Sequence, residues 1–411
     1  MKHFNSEEAI HDFLRFMHYS SSPYHAAHAL SERFAHCGFT PLSLSESWTL
    51  EKGQRYFIEE EGTVIAFSIP RDTCTRAIVI ASHTDSPALM LKPHPEKKQK
   101  EMLFYKTEVY GGPILRSYLD RDLLISGRVV TPEGNLELVS FDESPCMISS
   151  PAIHLEHKEE INPELHLLPL MGLNEWPTDL SQFLSFDLFV TPMDPPRRFG
   201  SKQELIASYG IDNRASAYAG MVALVHASSN EHLMMYSSFN HEEIGSSTEV
   251  GASSPLFKEI FHRISLALNL SQEETYALLH RSLCLSVDMA QGYHPLYEAS
   301  FDIANTPEIG KGVALKVNAK RRYSSHAANL APIIKIAKKH HIALQYYAAR
   351  SDKKSGSTIG SLHATATGMP TVDIGAPQLA MHAAREVMAG SDFIDLCKLL
   401  GHALEECHGS L

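Results

Sequence analysis

Two adjacent glutamates, Glu242 and Glu243, follow an apolar stretch rich in strand-forming residues, 233–239. Ile244 and Gly245 then indicate a turn, so both carboxylates lie where a buried strand ends. Buried neighbouring carboxylates repel each other, and one becomes protonated unless a cation lies close by. A metal ion resolves this conflict, because one glutamate can bind it while the other accepts a proton from the water that it activates. Taken alone, such a pair is more often found on a solvated surface, so the hypothesis depends on the rest of the chain.

A histidine and an aspartate follow a second apolar stretch, 77–81. Five consecutive apolar residues predict a strand buried on both faces, as in a sheet covered by helices. His83 and Asp85 come at its end, which is where open α/β sheets bind ligands. Residues i and i+2 of an extended segment point the same way, so Asp85 can lie behind the His83 ring and fix its tautomer. A purely structural role for this motif is the alternative.

Three further side chains complete a candidate metal centre. Asp212 stands at the entrance of a predicted helix, where a helix N-cap is the alternative role, and Asp288 follows a short apolar run. His382 follows another predicted strand. With His83 and Glu243 these residues give two imidazoles and three carboxylates, the set expected for two zinc-like ions bridged by one carboxylate. Spacing alone does not show that five separate segments meet.

The length, charge and cysteine content of the chain limit the class of protein to which it can belong. A chain of 411 residues is too long for one ordinary core, so we expect two or three domains. The formal charge of −12 argues against nucleic acids and anionic membranes as main partners. The N-terminus has no apolar signal core, and no run of about 18 apolar residues occurs. Six scattered cysteines fit a reducing cytoplasm and argue against a cysteine zinc site.

Helical and strand-like stretches alternate along the chain, with one interruption. Residues 93–100 are interpreted as a charged connector, and short strand-like runs separated by turns follow it. This pattern predicts an all-β domain over 93–197, inserted between two parts of one α/β domain, 1–92 and 198–411. A helix is predicted to begin over 204–208.

His154 and the loop 354–360 each have a simple local explanation. The chain contains 24 histidines, so each one needs its own argument. His154 lies on an apolar stretch of the predicted insertion, where a buried, hydrogen-bonded histidine is the simplest interpretation. The Gly/Ser/Thr-rich loop 354–360 lacks the lysine and the spacing of a phosphate-binding loop, so we do not expect nucleotide binding.

Six motifs in a fixed order carry a resemblance to a known family. They are His83-Thr84-Asp85-Ser86-Pro87, Gly210-Ile211-Asp212-Asn213-Arg214, His241-Glu242-Glu243-Ile244-Gly245-Ser246, Val287-Asp288-Met289-Ala290, Leu315-Lys316-Val317-Asn318-Ala319-Lys320 and Gln378-Leu379-Ala380-Met381-His382-Ala383-Ala384-Arg385-Glu386. Together they resemble the M18 metallopeptidases, the aspartyl aminopeptidase family. The similarity extends from about residue 4 to about residue 395.

The resemblance implies a fold and a metal centre. The fold is a di-zinc peptidase α/β/α sandwich with an inserted β-rich domain used for dimerisation. Two zinc ions are expected per subunit, and cobalt or manganese can replace zinc among such ligands. The matching positions assign His83 and Asp288 to one zinc, Glu243 and His382 to the other, and Asp212 to both. Glu242 matches the general base, Asp85 matches the residue that orients His83, and Asp212–Asn213 matches a cis peptide bond.

The resemblance also implies the substrate class, short peptides from which one N-terminal residue is released at a time. Lys316 and Tyr323 match substrate-binding positions, and a lysine there would favour Asp or Glu as the first residue. Gln291 departs from the family, because relatives usually have a histidine three residues after the zinc-binding aspartate. A broader-specificity di-zinc aminopeptidase is therefore the main alternative.

The remaining matches concern the cavity wall and the assembly. Ser357 and Thr358 match a loop that lines the substrate site, and His154 matches a histidine that relatives project from a neighbouring subunit into the active site. The resemblance implies a tetrahedral dodecamer built from dimers, with an enclosed chamber that admits short or unfolded peptides. A non-catalytic binding or assembly protein would be expected to have lost a ligand or Glu242, and all of them are present.

Overall fold

The computed structural model describes residues 4–155 and 160–407. The helices are α1 (Ser6–Tyr19), α2 (Pro23–His36), α3 (Pro163–His166), α4 (Ile211–His226), α5 (Leu256–Ala267), α6 (Gln272–Arg281), α7 (Ala327–Lys339), α8 (Ile359–Thr367) and α9 (Gly390–Glu406). The strands are β1 (Thr40–Pro41), β2 (Arg55–Glu60), β3 (Thr63–Ser68), β4 (Arg76–His83), β5 (Ala88–Gln99), β6 (Met102–Tyr110), β7 (Asp122–Val130), β8 (Leu136–Ser140), β9 (Cys146–Met147), β10 (Leu170–Leu173), β11 (Ser185–Pro192), β12 (Arg197–Phe199), β13 (Leu205–Ser208), β14 (His232–Phe239), β15 (Leu283–Val287), β16 (Ala290–Gln291), β17 (Val313–Lys316), β18 (Leu344–Tyr347), β19 (Thr371–Gly375), β20 (Pro377–Leu379) and β21 (Glu386–Ala389).

A nine-stranded sheet forms the centre of the fold, in the order β1-β2-β3-β14-β4-β15-β19-β17-β18. Its adjacent strands β14, β4, β15 and β19 run parallel. The predicted strand at 77–81 is part of β4, where Ile78 and Ile80 enter one core and Ala77 and Val79 enter the other. Because both of its faces are buried, the strand is apolar throughout. The carboxyl ends of the four strands lie at one edge of the sheet, and the candidate site is built there.

Helices cover both faces of this sheet. On one face α1, α2, α4, α7 and α9 share a core that includes Phe13 and Leu400, both fully buried. On the other face α5, α6 and α8 share a core that includes Phe257 and Ile260. Each large apolar side chain buried in this way contributes about 1.5–3 kcal/mol, so the two layers together hold the strand ends in register. The expected α/β/α sandwich is confirmed.

A second sheet contains the strands of residues 88–192. Its order is β11-β5-β6-β10-β9-β7-β8, and a further pairing of β11 with β7 closes it into a barrel. A separate core that includes Tyr105, Tyr118 and Leu188 fills this barrel. The connector predicted over 93–100 is wrong, because β5 runs through it to Gln99 with its charged residues largely exposed. The boundary drawn between residues 92 and 93 therefore falls inside a strand, and the division into domains stays a prediction.

A third, five-stranded sheet has the order β12-β13-β21-β20-β16. The helix predicted to begin over 204–208 is wrong, because Leu205–Ser208 forms β13 and pairs antiparallel with β21. Its four residues suit a helix or a strand equally well, and the partner that decides between them is far away in the sequence. The pairing places Ser208 opposite Glu386, and this brings Glu386 close to the start of α4.

Within 4–155 and 160–407, no helix combines the length and the hydropathy needed to cross a membrane. All six cysteines are free thiols, and only Cys37 is exposed.

Candidate active site

The parallel strands bring the candidate residues to one edge of the central sheet. β4 ends at His83, and β14 leads into the single helical turn Glu242–Ile244. Phe239 pairs with His83 in register, so these two strand ends lie level with each other. β15 ends immediately before Asp288, and β19 leads through β20 towards His382.

Asp212 enters the site from the first turn of α4 and does not cap that helix. The cap position is Gly210, whose φ of 69° is left-handed, and no side chain caps the helix there. The peptide bond Asp212–Asn213 is cis, as the resemblance implied. One oxygen of Asp212, Oδ1, is buried without a hydrogen-bond partner among the described residues. The carboxylate is therefore available for another ligand.

The two oxygens of Asp212 face two different histidines. Oδ1 lies 3.6 Å from Nε2 of His83, which is 3.8 Å from Oδ1 of Asp288. Oδ2 lies 3.4 Å from Nε2 of His382, which is 3.5 Å from Oε1 of Glu243. The structure thus brings all five predicted ligands together as two groups that share Asp212. Ligand atoms of His83, Asp212 and Glu243 lie within 4.8 Å of one another.

The electrostatics of this cluster suit cations. Burial, together with the charge of Asp288, raises the pKa of Glu242 to about 8, and burial raises that of Glu243 well above its usual range. Burial alone would lower the pKa of His382, but the hydrogen bond with Asp212 and the charge of Glu243 raise it to about 10. The carboxylates outnumber the imidazoles, and the surplus negative charge is what divalent ions neutralise. The donor set and the unpartnered Asp212 oxygen therefore fit zinc.

Asp85 is fully buried behind His83 and holds several groups in place. Its Oδ1 lies 3.3 Å from Nδ1 of His83 and accepts the N–H of Glu242, while Nδ1 is also 3.1 Å from the carbonyl oxygen of Asp85. Its Oδ2 accepts the N–H of Glu243 and the hydroxyl of Tyr110. Burial alone would raise the pKa of Asp85, but these contacts hold it below its usual value. Asp85 therefore positions His83 and both glutamates.

The loop that follows β6 brings the barrel sheet into the site. The carbonyl oxygen of Gly112 lies 3.0 Å from Nδ1 of His382, and the N–H of Ile114 donates to the carbonyl of His382. Gly111 has a φ of 71°, and a Cβ built on it would lie 3.0 Å from Cβ of Glu243. Backbone and glycine contacts of this kind leave no side-chain signal in the sequence, so they were not predicted.

Glu386 is a site residue that the sequence analysis also missed. Its buried carboxylate accepts the backbone N–H groups of Asp212 at 3.0 Å and of His382 at 2.7 Å, and the amide of Gln378 at 3.2 Å. His382 has a φ of 68°, which residues other than glycine adopt rarely. Burial, reinforced by the charge of Asp212, raises the pKa of Glu386 to about 8. The only local signal was a carboxylate four residues after His382.

A cavity of about 140 Å³ opens onto these groups. Five of the six predicted substrate-binding residues line it, namely Gln291, Lys316, Tyr323, Ser357 and Thr358. The sixth, His154, lies elsewhere on the same chain, exposed on the barrel between Ile153 and Leu155. The simplest interpretation of His154, a buried and satisfied histidine, is therefore wrong.

Lys316 is buried in the wall of this cavity with its charge already partnered. Its Nζ donates to the carbonyl of Met289 at 2.7 Å, lies 3.6 Å from Oδ2 of Asp288, and stands 5.6 Å from the centre of the Tyr323 ring. The lysine therefore connects the cavity to one of the candidate metal ligands.

A buried aspartate that contacts the cavity-lining Thr358 was also not predicted from the sequence. Asp373 accepts the hydroxyl of Thr358 and the N–H of Ser324. Burial raises its pKa, although these donors oppose the shift. One carboxylate thus anchors both the loop that carries Thr358 and the segment that carries Tyr323.

Comparison with known proteins shows the family of this chain. The family described as aminopeptidase I zinc metalloprotease (M18) matches residues 16–180 and 173–402. A probable M18 family aminopeptidase 2 of Clostridium acetobutylicum is 32% identical over 94% of this chain and 96% of its own length. Aspartyl aminopeptidase 1 of Schizosaccharomyces pombe is 32% identical over 93% of this chain and 91% of its own length. A chain in the cryo-EM structure of the Ape4 and Nbr1 complex is 30% identical, with a TM-score of 0.90 over 97% of this chain and 86% of that chain. The chain belongs to the M18 family of zinc metalloproteases and is a metalloaminopeptidase.

Proposed function

We propose that this aminopeptidase uses two zinc ions per subunit and prefers peptides that begin with Asp or Glu. The observation that carries the two-ion part is the placement of Asp212, whose oxygens face His83 and His382 separately. A single carboxylate shared by two ligand groups is the arrangement expected of a two-metal site, a class in which aminopeptidases are a known example.

The residues that would hold the metal form two groups around Asp212. His83 and Asp288 would bind one ion, and His382 and Glu243 the other. Zinc supplies Lewis-acid catalysis in such a site. Cobalt or manganese can occupy the same nitrogen and oxygen ligands.

Glu242 is proposed as the general base. It lines the cavity but belongs to neither ligand group, and its Oε2 lies 4.0 Å from Nε2 of His83. Glu242 takes a proton from the water that attacks the peptide carbonyl, and returns it to the amine nitrogen as the C–N bond breaks. Burial raises its pKa to about 8, and bound cations would bring that value back towards neutrality. A base that titrates near the working pH is the most effective one.

The acidic preference is supported by Lys316, a cation in the cavity wall beside Tyr323. The alternative of a broader specificity is supported by two observations. Lys316 already contacts Asp288 and the carbonyl of Met289, so part of its charge is compensated. Gln291 offers an amide, which cannot carry a charge, at a position where the family resemblance implies a histidine.

We further propose that the barrel mediates dimerisation and that the dimers build a dodecamer. His154 would then reach the active site of a neighbouring subunit. It is exposed on the barrel, and the flanking Ile153 and Leu155 are 85% and 71% exposed. Large exposed apolar side chains that lie close together favour a protein contact. The six free cysteines suit a reducing compartment, and we propose the cytoplasm.

The test is hydrolysis of a panel of aminoacyl chromogenic substrates by the purified protein. Each substrate is assayed as purified, after chelation, and after zinc, cobalt or manganese is added back. Restored cleavage of Asp and Glu substrates alone supports the acidic preference, whereas restored cleavage of Leu or Ala substrates supports the broader one. Two bound metals per chain without any cleavage would favour a non-catalytic peptide-binding or assembly role.

A further inference from the structure

A second cluster of histidine and carboxylate side chains lies where two helices end. His340 directly follows the last residue of α7, and His402 and Glu406 lie one turn apart at the end of α9. The two helices pack against each other. None of the three side chains lines the cavity of the catalytic site.

The ligand atoms of this cluster lie close to one another, at separations near those of ligands around one metal ion. Nε2 of His340 lies 2.9 Å from Oε1 of Glu406, and Nδ1 of His402 lies 3.8 Å from the same oxygen. All three ligand atoms lie within 4.8 Å of one another. Nitrogen and oxygen ligands of a tetrahedral zinc ion, bound at about 2.0–2.2 Å, are separated by roughly 3.3 Å. The observed separations fall on both sides of that value.

One atom of the cluster has no other hydrogen-bond role. Nδ1 of His402 is buried, and it has no hydrogen-bond partner among the described residues. Only one carboxylate oxygen of Glu406 is bound by Lys339, which donates to Oε2. The other oxygen, Oε1, faces the two histidine rings. An ordinary ion-pair network accounts for the contacts among Lys339, Glu406 and His340. It does not account for the buried, unpartnered Nδ1 of His402.

The two rings are stacked, with centroids 3.5 Å apart and planes at 7°. Burial, reinforced by the charge of the adjacent His340 ring, lowers the pKa of His402 and so favours its neutral imidazole, which is the form that binds metals. The lone pair of a ring nitrogen lies in the plane of its own ring, so one ring must rotate for both to bind the same ion. The carboxyl termini of α7 and α9 would favour a bound metal ion, because the carboxyl terminus of a helix attracts cations.

We propose that His340, His402 and Glu406 bind one divalent transition-metal ion, with zinc as the natural choice for two imidazoles and a carboxylate. The ion would tie the end of α9 to the end of α7. α9 packs along α4 and carries core residues such as Leu400, so this tie would stabilise the sandwich without taking part in the reaction.

The test compares zinc binding by the full-length wild type with that of two variants. His402→Gln removes one ligand. His28→Gln is the matched control, because His28 lies one turn before Glu32 on α2 and its two ring nitrogens are each 3.8 Å from a carboxylate oxygen, of Glu32 and of Glu59. Among the described residues, His28 belongs to neither group of three side chains whose ligand atoms lie within 4.8 Å of one another. Equilibrium dialysis over micromolar zinc, with the bound metal counted by mass spectrometry, gives the number of ions per chain. Thermal unfolding with and without added zinc gives the stabilisation.

We expect His402→Gln to bind one zinc fewer per chain than the wild type and the control, or to bind that ion at least about tenfold more weakly. Its zinc-dependent rise in Tm should shrink, while its kcat/KM stays that of the wild type. Equal zinc counts and equal Tm shifts in all three proteins would overturn the proposal. If His402→Gln does not fold, His340→Gln replaces it in the same comparison. With zinc already bound at the catalytic ligands, copper(II) added to the wild type should show electron paramagnetic resonance couplings to two nitrogens that His402→Gln lacks, and equal spectra would contradict the site.

Discussion

Nδ1 of His382 lies 3.0 Å from the carbonyl oxygen of Gly112, a residue of the loop that follows β6 in the barrel sheet. A histidine that binds a metal through Nε2 is oriented by the acceptor at its other nitrogen. Because Ile114 also donates to the carbonyl of His382, the loop fixes both the ring and the backbone of this residue. The barrel therefore forms part of the active site within one chain, whatever its role in assembly.

Gly111→Ala should lower activity by disturbing this loop. The added methyl group would lie 3.0 Å from Cβ of Glu243, and φ at Gly111 is 71°. We expect kcat/KM to fall by about 10–100-fold, the usual effect of losing a group that orients a metal ligand. The control is Gly134→Ala, where φ is 87° but no atom lies within 4 Å of the added carbon. Both variants carry a backbone cost of about 1–2 kcal/mol, so equal activities would show that the loop does not orient the site.

Glu386→Gln should weaken metal binding while the fold is kept. The carboxylate accepts N–H groups from both Asp212 and His382, and an amide can accept at only one of its two atoms. We expect metal affinity, measured by competition with a chelator, to fall by about 10–100-fold. Asp392→Asn is the control. Asp392 lies in the first turn of α9, is buried, and accepts the N–H groups of Gly310 and Gly312. That variant should lose stability and retain its metal, and an equal loss of metal would contradict the role of Glu386.

The sequence predicted the parts of the site that rest on local patterns. The apolar runs 77–81 and 233–239 are strands, and both end at the site because parallel strands share a carboxyl edge. The order of these strands depends on pairings between distant segments, which no local pattern predicts. The same holds for the assignment of Asp212, which local sequence could not separate from a helix cap.

Apart from Asp85, the groups that hold the ligands could not be predicted. Gly112 is 270 residues from His382 along the chain, and Glu386 is 174 residues from Asp212. These contacts use backbone atoms, so they leave no pattern of residue types. The connector predicted over 93–100 failed for a related reason, since the charged residues of β5 lie on an exposed surface and mask its strand character.

Glu242→Gln should abolish most turnover and leave the metal in place. Glu242 belongs to neither ligand group, but it lines the cavity beside both of them. Loss of a general base lowers kcat by about 10²–10⁴-fold. Metal content and Tm should match those of Glu249→Gln, a control at an exposed position of the same loop region. Near-normal turnover in Glu242→Gln would remove this residue from the mechanism.

Gln291→His should sharpen the preference for acidic substrates. Gln291 is exposed in the cavity wall, where an imidazole can become protonated beside a substrate carboxylate. A partly exposed charge pair is worth up to about 1 kcal/mol, so we expect the ratio of kcat/KM for Asp over Leu substrates to rise about fivefold at low salt. The gain should shrink as ionic strength increases. Gln291→Asn, which adds no charge, is the control, and the same ratio in both variants would exclude an electrostatic role.

His363 should make the protein sensitive to acid. Its ring is fully buried in α8, 4.6 Å from the ring of Phe257, and burial lowers its pKa to about 4. The unfolded chain binds this proton near pH 6.5, so the folded state loses stability as pH falls from about 6.5 to about 4, by at most about 3 kcal/mol. His363→Leu should flatten the dependence of the unfolding free energy on pH over that range. His280→Gln, at an exposed position of α6, controls for the loss of an imidazole. Equal slopes in denaturant titrations of both variants and the wild type would show that His363 does not govern acid stability.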